Sequence, residues 1–109
     1  MERIDSHQHF WNYDPAQHVW MNDDMQILKK DYAPKDLEAM LKACNINGTV
    51  AVQASQTEDE NKFLSDLAEE APFIKGIVGW VDLQSKNVSY NILSEQKIFF
   101  YCFFLVSDT

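Results

Sequence analysis

Two β-branched, apolar runs, TVAVQAS (Thr49–Ser55) and IKGIVGWVDL (Ile74–Leu83), each follow a segment with helical periodicity. Neither run alternates apolar with polar residues. A strand of that composition is buried on both faces, which is the situation of parallel sheets covered by helices. The segments in front of them read as those helices. Pro34 suits a first helical position, where its missing N–H costs nothing. Leu37, Met40, Leu41 and Cys44 then recur at i, i+3, i+4 and i+7 as one apolar stripe. NING (Asn45–Gly48) stops that helix, because Asn and Gly tolerate the left-handed turn it needs. In the second helix Thr57 is the cap, and Glu60 three residues later completes a capping box. Phe63, Leu64, Leu67, Ala68 and Ala71 form its stripe, and Pro72 ends it. With ERIDSHQH as a short opening strand and a long loop from Phe10 to Ala33, the order is β-loop-α-β-α-β. That alternation predicts an α/β fold of parallel β/α units with right-handed crossovers. A doubly wound sheet and a (β/α)8 barrel both fit. No Gly-rich fingerprint follows the first strand, which disfavours the nucleotide-binding version.

Composition narrows the function classes. The chain has 109 residues, 46% of them hydrophobic, and a net charge of −8. Lys and Arg form no patch, so nucleic acid and anionic membranes have no footprint to recognise. The longest apolar run, IFFYCFFLV (Ile98–Val106), is far short of the roughly 20 residues of a spanning helix. Residues 1–10 carry Glu2, Arg3, Asp5 and two histidines where a signal peptide needs an apolar core. Cys44 and Cys102 fit no disulfide or zinc spacing, so a reducing, cytoplasmic setting is expected. Cys44, on the helical stripe, reads as core.

The chemistry-bearing feature is DSHQH at the end of the opening strand. Side chains at i, i+2 and i+4 of a strand share a face, so Asp5, His7 and His9 are expected to point together. In parallel α/β proteins ligands bind at the carboxyl ends of strands. Two imidazoles there can share one divalent metal such as zinc or manganese, with Asp5 orienting one of them from behind. A catalytic zinc wants three protein ligands, so His7 and His9 form an incomplete site. Hydrogen bonding of both rings to backbone is the bland alternative. Gln53 and Asp82, at the ends of the other two strands, are candidate substrate contacts; a strand-end hydrogen bond or a helix cap explains them equally well. Trp20, with Trp11, Tyr13 and His18, lies in the long loop, which forms either a lid or a loop packed by its own aromatics. No nucleophile elbow, P-loop or C-x-x-C is present.

Taken together, IDSHQHFWNYDP, DYAPKDL, GTVAVQAS and PFIKGIVGWVDLQS resemble the amino-terminal part of the amidohydrolase-related lactonases, of the L-fuconolactonase type. The resemblance runs in order from residue 3 to about residue 85. It implies the first part of a (β/α)8 barrel, incomplete in this chain. It implies hydrolysis of the carbon–oxygen ester bond of a small-molecule sugar or dicarboxylate lactone. Members differ in whether they use a divalent metal. His7 and His9 would be metal ligands in metal-using relatives and would hold the lactone carbonyl in metal-free ones. Gln53 and Asp82 fall where relatives have pocket-lining strand ends. The family's remaining histidines, and the acidic general base of the last barrel strand, would lie beyond residue 109. The chain alone is therefore expected to be inactive.

Character changes near Ser85. Residues 1–85 hold seven Lys/Arg and fifteen Asp/Glu, whereas residues 86–109 hold two of each and six of the fourteen aromatics. Residues 1–85 are expected to carry the family fold. Residues 86–109 read as a divergent hydrophobic tail outside it, more like a shifted frame, retained intron or misassigned end than an evolved domain. Three strands cannot close a barrel, so two sheet edges are expected to stay unpaired. A charge-free, β-prone tail adds an aggregation hazard. The competing reading is thus a non-catalytic fragment that self-associates or pairs with a full-length relative.

Overall fold

The structure, a computed structural model, describes residues 1–82 and 84–87 and the backbone of 101–103. The elements are β1 (Ile4–Gln8), a 3-10 helix (Asp23–Leu28) within the long loop, α1 (Pro34–Ala43), β2 (Gly48–Val52), α2 (Glu58–Glu70), β3 (Ile74–Gly79) and β4 (Tyr101–Phe103), in the expected order as far as β3. The strands form one sheet in chain order, β1-β2-β3-β4, each pair parallel.

One expectation is corrected here. The edge of β3 that was expected to stay unpaired has a partner in β4: Tyr101, Cys102 and Phe103 pair with Ile77, Val78 and Gly79. The tail contributes backbone to the sheet because any β-prone segment can satisfy the open edge of β3, whatever its side chains. Residues 88–100 and 104–109, including most of the aromatic run, lie outside the described residues.

Each helix begins and ends for the reasons its residues supply. Pro34 is the first residue of α1, and the Asp36 carboxylate accepts the Ala33 N–H at 3.0 Å. Asn45 takes the left-handed conformation after α1, with φ of 56°. Thr57 caps α2 by accepting the Glu60 N–H. The reciprocal half of the expected capping box is absent. The Glu60 carboxylate instead accepts the N–H groups of Ala54 and Ser55, at 2.6 and 3.1 Å. Two orphan donors in the β2–α2 loop are a closer target than the cap's own N–H.

The core lies between the sheet and α2. Phe10, Ala51, Leu64, Ala68, Ile74 and Ile77 are buried together. Burying each large side chain of this kind stabilises the fold by about 1.5–3 kcal/mol. The stripe of α1 is narrower than its spacing suggests. Leu41 is buried and Leu37 packs against the core, but Met40 and Cys44 are exposed. Cys44 is therefore not a core residue: it is the exposed cap just past the last residue of α1. No helix among the described residues is long and apolar enough to cross a membrane.

Candidate active site

β1 does not run straight into the site. Asp5 pairs with Thr49 and Gln8 with Ala51, so β1 advances three residues where β2 advances two. Such a bulge bends the strand and re-aims the side chains after it. It separates Asp5 from the histidines. The Asp5 carboxylate accepts the backbone N–H of His7, at 3.2 Å, rather than either imidazole. The expected orienting role of Asp5 is corrected accordingly: the Val52 carbonyl at the end of β2 takes it, 3.1 Å from His9 Nδ1.

That contact sets the chemistry of the pair. A carbonyl only accepts, so the proton of neutral His9 is on Nδ1 and Nε2 carries a lone pair. This Nε2 lies 3.1 Å from His7 Nε2, with the rings edge to face. In this arrangement His7 donates from Nε2 to His9. His9 is half-buried and His7 exposed, so the pair opens to solvent on one side. The donor set suits a metal in part. Two nitrogens each about 2.0–2.1 Å from one tetrahedral zinc lie roughly 3.3 Å apart, close to the separation found. His9 already presents the right lone pair, and His7 does so once its proton moves to Nδ1. Among the described residues no group of three or more His, Cys, Asp or Glu side chains is placed to hold a metal. The described residues therefore supply two ligands and no third.

Beside His9 is a cleft of about 300 Å3. Trp11, Trp20, Met21 and Leu28 form its apolar wall, and His9, His18 and Gln53 its polar one. Gln53 follows the last residue of β2, and its N–H donates to the Val78 carbonyl at 2.8 Å, which fixes it at the strand end. Trp20 stands at the rim, 60% exposed. Gln53 and Trp20 are thus brought together with His9. Asp82 is not: exposed beyond β3, it accepts the N–H of Gln84 on its carboxylate and that of Ser85 on its carbonyl, closing a turn.

Of the two forms expected of the long loop, the structure shows the one packed by its own aromatics. It closes on itself through paired backbone hydrogen bonds between Trp11 and Tyr32, whose rings lie 4.4 Å apart. Trp11 Nε1 donates to the Leu28 carbonyl, and the Tyr32 hydroxyl to that of Ile27. Met21 is buried. A loop tied down in this way holds Trp11, His18 and Trp20 against the site without help from the sheet.

Two supporting residues gave little warning in the sequence. Glu60 looked like half of a capping box. Asn61 is fully buried, its amide bonded to both the N–H and the carbonyl of Trp80. The available signal was its spacing: Asn61, Leu64 and Ala68 stand at i, i+3 and i+7, so a polar residue occupies the buried stripe of α2.

The fold and site together define an α/β protein with paired imidazoles at the carboxyl end of its first parallel strand. Comparison with known proteins makes this specific. No family profile matches the chain. It is 36% identical over 92 residues to an L-fucono-1,5-lactonase of Burkholderia ambifaria, covering 84% of this chain and 32% of that protein. An L-fucono-1,5-lactonase of Burkholderia multivorans is 39% identical over 90 residues, covering 83% of this chain and 30% of that protein. Crystal structures of an amidohydrolase from Burkholderia multivorans superpose with TM-scores of 0.87, with zinc bound, and 0.88, with HEPES bound. Each is 35% identical and covers 94% of this chain and 36% of that one. The chain is thus a homologue of these L-fucono-1,5-lactonases and of this amidohydrolase, and spans about a third of the length of the curated relatives it matches.

Proposed function

We propose that these residues form the β1–β2 side of the active site of a lactonase built on a (β/α)8 barrel. The observation that carries the reading is the His7–His9 pair, held by the Val52 carbonyl and opening beside a cleft lined by Gln53 and Trp20, in a chain related to L-fucono-1,5-lactonases. The strand order supports the barrel. Barrel strands neighbour each other in chain order, whereas a doubly wound sheet reverses at its switch point. The reaction is hydrolysis: water adds to the lactone carbonyl carbon, the ring C–O bond breaks, and the leaving oxygen takes a proton to give the hydroxy acid. A divalent cation such as zinc or manganese, when bound, supplies polarisation of that carbonyl. His9 contributes an oriented lone pair at Nε2, and Gln53 an amide for the carbonyl or a hydroxyl. Neither a third ligand nor a general base stands at this site among the described residues, and these residues by themselves are proposed to bind the lactone without turning it over. An exposed free thiol at Cys44 fits a reducing, cytoplasmic setting.

The test is hydrolysis of sugar lactones by the purified chain, with and without zinc or manganese, alongside NMR of the His7 and His9 rings. Ring shifts with zinc and lactone, without hydrolysis, are expected. Turnover by this chain would refute its inactivity. Rings indifferent to both additions would refute the site.

A second reading rests on the sheet edges. β1 pairs only with β2 among the described strands, and Ile4 on it is exposed. An unpaired edge of this kind templates pairing with another chain, so the fragment self-associates or joins a full-length relative without catalysis. Sedimentation as a monomer at tens of micromolar, and no co-purification with such a relative, would remove this reading.

A further inference from the structure

The cleft beside His9 carries a second histidine whose chemistry is the opposite of the first. His18 Nδ1 accepts the backbone N–H of Asp14, at 3.0 Å. A nitrogen that accepts from an amide carries a lone pair, so the proton of the neutral ring is on Nε2. The ring is also held in place. Tyr13 stacks on it at 5.7 Å between centroids, and Trp20 meets it edge to face at 6.2 Å. Asp14 fixes the turn beneath, its carboxylate accepting the Ala16 N–H and its carbonyl that of His18 itself. His18 therefore offers the cleft it lines a fixed hydrogen-bond donor.

The remaining wall says what that donor meets. No Lys, Arg, Asp or Glu lines the cleft among the described residues. A lactone bearing carboxylates needs cationic partners once it leaves water. A polyhydroxylated ring needs neutral donors and acceptors, together with an apolar surface for its C–H face. His18 and Gln53 provide the former, and the indoles of Trp11 and Trp20 the latter.

We propose that His18 is a specificity-determining residue: it donates from Nε2 to a hydroxyl of a polyhydroxylated lactone whose C–H face lies on Trp20. This deepens the lactonase reading and rests on it. His18 is half-buried, so a ligand seated in the cleft covers it; an analogue that lacks the hydroxyl then leaves the covered donor unpaired and binds less well.

The full chain is titrated by NMR with L-galactono-1,4-lactone, with δ-valerolactone, which has no hydroxyls, and with a pyrone dicarboxylate. The wild type is expected to prefer the galactonolactone over both others. His18→Asn keeps an acceptor for the Asp14 N–H but has no donor at the Nε2 position. It is expected to weaken the galactonolactone about tenfold and leave δ-valerolactone unchanged. His18→Gln places an amide nitrogen near the Nε2 position and is expected to restore the preference. Ring 15N shifts read the tautomer directly, with the proton expected on Nε2. An Nδ1 proton, an intact preference in His18→Asn, or tighter binding of the dicarboxylate would overturn the proposal and leave the lactonase reading standing. Failure of the wild type to bind any of the three lactones would sink that reading, and this proposal with it.

Discussion

Asn61 grips the backbone of Trp80 at both of its polar atoms. Its Nδ2 donates to the carbonyl at 2.7 Å, and its Oδ1 accepts the N–H at 2.8 Å. The side chain is fully buried, so neither bond has water as a substitute. The contact joins the first turn of α2 to the chain just past β3, at the carboxyl ends of the strands where the site opens. Asn61→Leu has similar volume and removes both bonds. Each buried backbone group left unpaired costs about 1–3 kcal/mol, so a loss of about 2–6 kcal/mol is expected in urea denaturation. A loss under 1 kcal/mol would show that water replaces the amide.

Glu60 does the equivalent task for β2. Its carboxylate accepts from Ala54 and Ser55, the residues directly after Gln53. One oxygen takes both bonds, and the amide oxygen of Gln can do the same. Glu60→Gln is therefore expected to stay within about 0.5 kcal/mol of the wild type, while Glu60→Ala loses about 1–3 kcal/mol. Amide exchange at Ala54 and Ser55 separates the two variants further: protection is retained in the Gln variant and lost in the Ala variant. Equal losses in both would mean that charge, not hydrogen bonding, holds the loop.

The two site histidines are not equivalent. His9 is oriented by Val52, whereas His7 must relocate its proton to offer a lone pair. Zinc is expected to bind the wild type and to move the ring signals of both residues together. His7→Ala and His9→Ala are each expected to weaken zinc at least about tenfold, measured by calorimetry. Unchanged affinity in both variants would place the metal elsewhere.

Much of this architecture was legible from residue patterns. Apolar β-branched runs marked β2 and β3, Pro34 and Asn45 bounded α1, and Thr57 opened α2, because each rests on local backbone chemistry. The site was legible to the extent that it followed strand alternation. His7 and His9 meet, but the bulge between Asp5 and Gln8 removed Asp5, and a bulge has no side-chain signature in DSHQH. Gln53 lines the cleft and Asp82 does not, although both follow apolar strands. Gln53 stays bonded to Val78, whereas Asp82 lies three residues past β3, where a carboxylate beside N–H groups closes a turn. The fourth strand was hidden because pairing with β3 uses backbone alone.

Gly48 opens β2 against the chain entering β3. A Cβ there would lie 2.7 Å from the Phe73 carbonyl oxygen and 2.7 Å from Lys75 Cγ. The lysine can swing aside. The carbonyl cannot, since it accepts the Thr49 N–H at 2.9 Å and sets the register. Gly48→Ala is expected to cost about 1–3 kcal/mol through this clash. A smaller cost in thermal unfolding would mean that the strands part without losing the Thr49 bond, which amide exchange at Thr49 would reveal.

Met40 and Leu41 are neighbours on α1 with opposite fates. Leu41 is 5% exposed and Met40 63%. The i, i+3, i+4, i+7 spacing placed both on one stripe, which assumes an apolar face at least about 100° wide. Here α1 meets the core along a thinner line through Leu37 and Leu41, so the residue 100° round from Leu41 faces out. Leu41→Ala removes buried methyl groups and leaves a cavity, with an expected cost of about 2–3 kcal/mol. Met40→Lys changes a mostly exposed side chain and is expected to shift stability by no more than about 0.5 kcal/mol. Parallel urea titrations decide it. A large loss for Met40→Lys would mean that α1 seats on a wider face in solution, and that an apolar partner, whether a second copy or a longer relative, covers Met40.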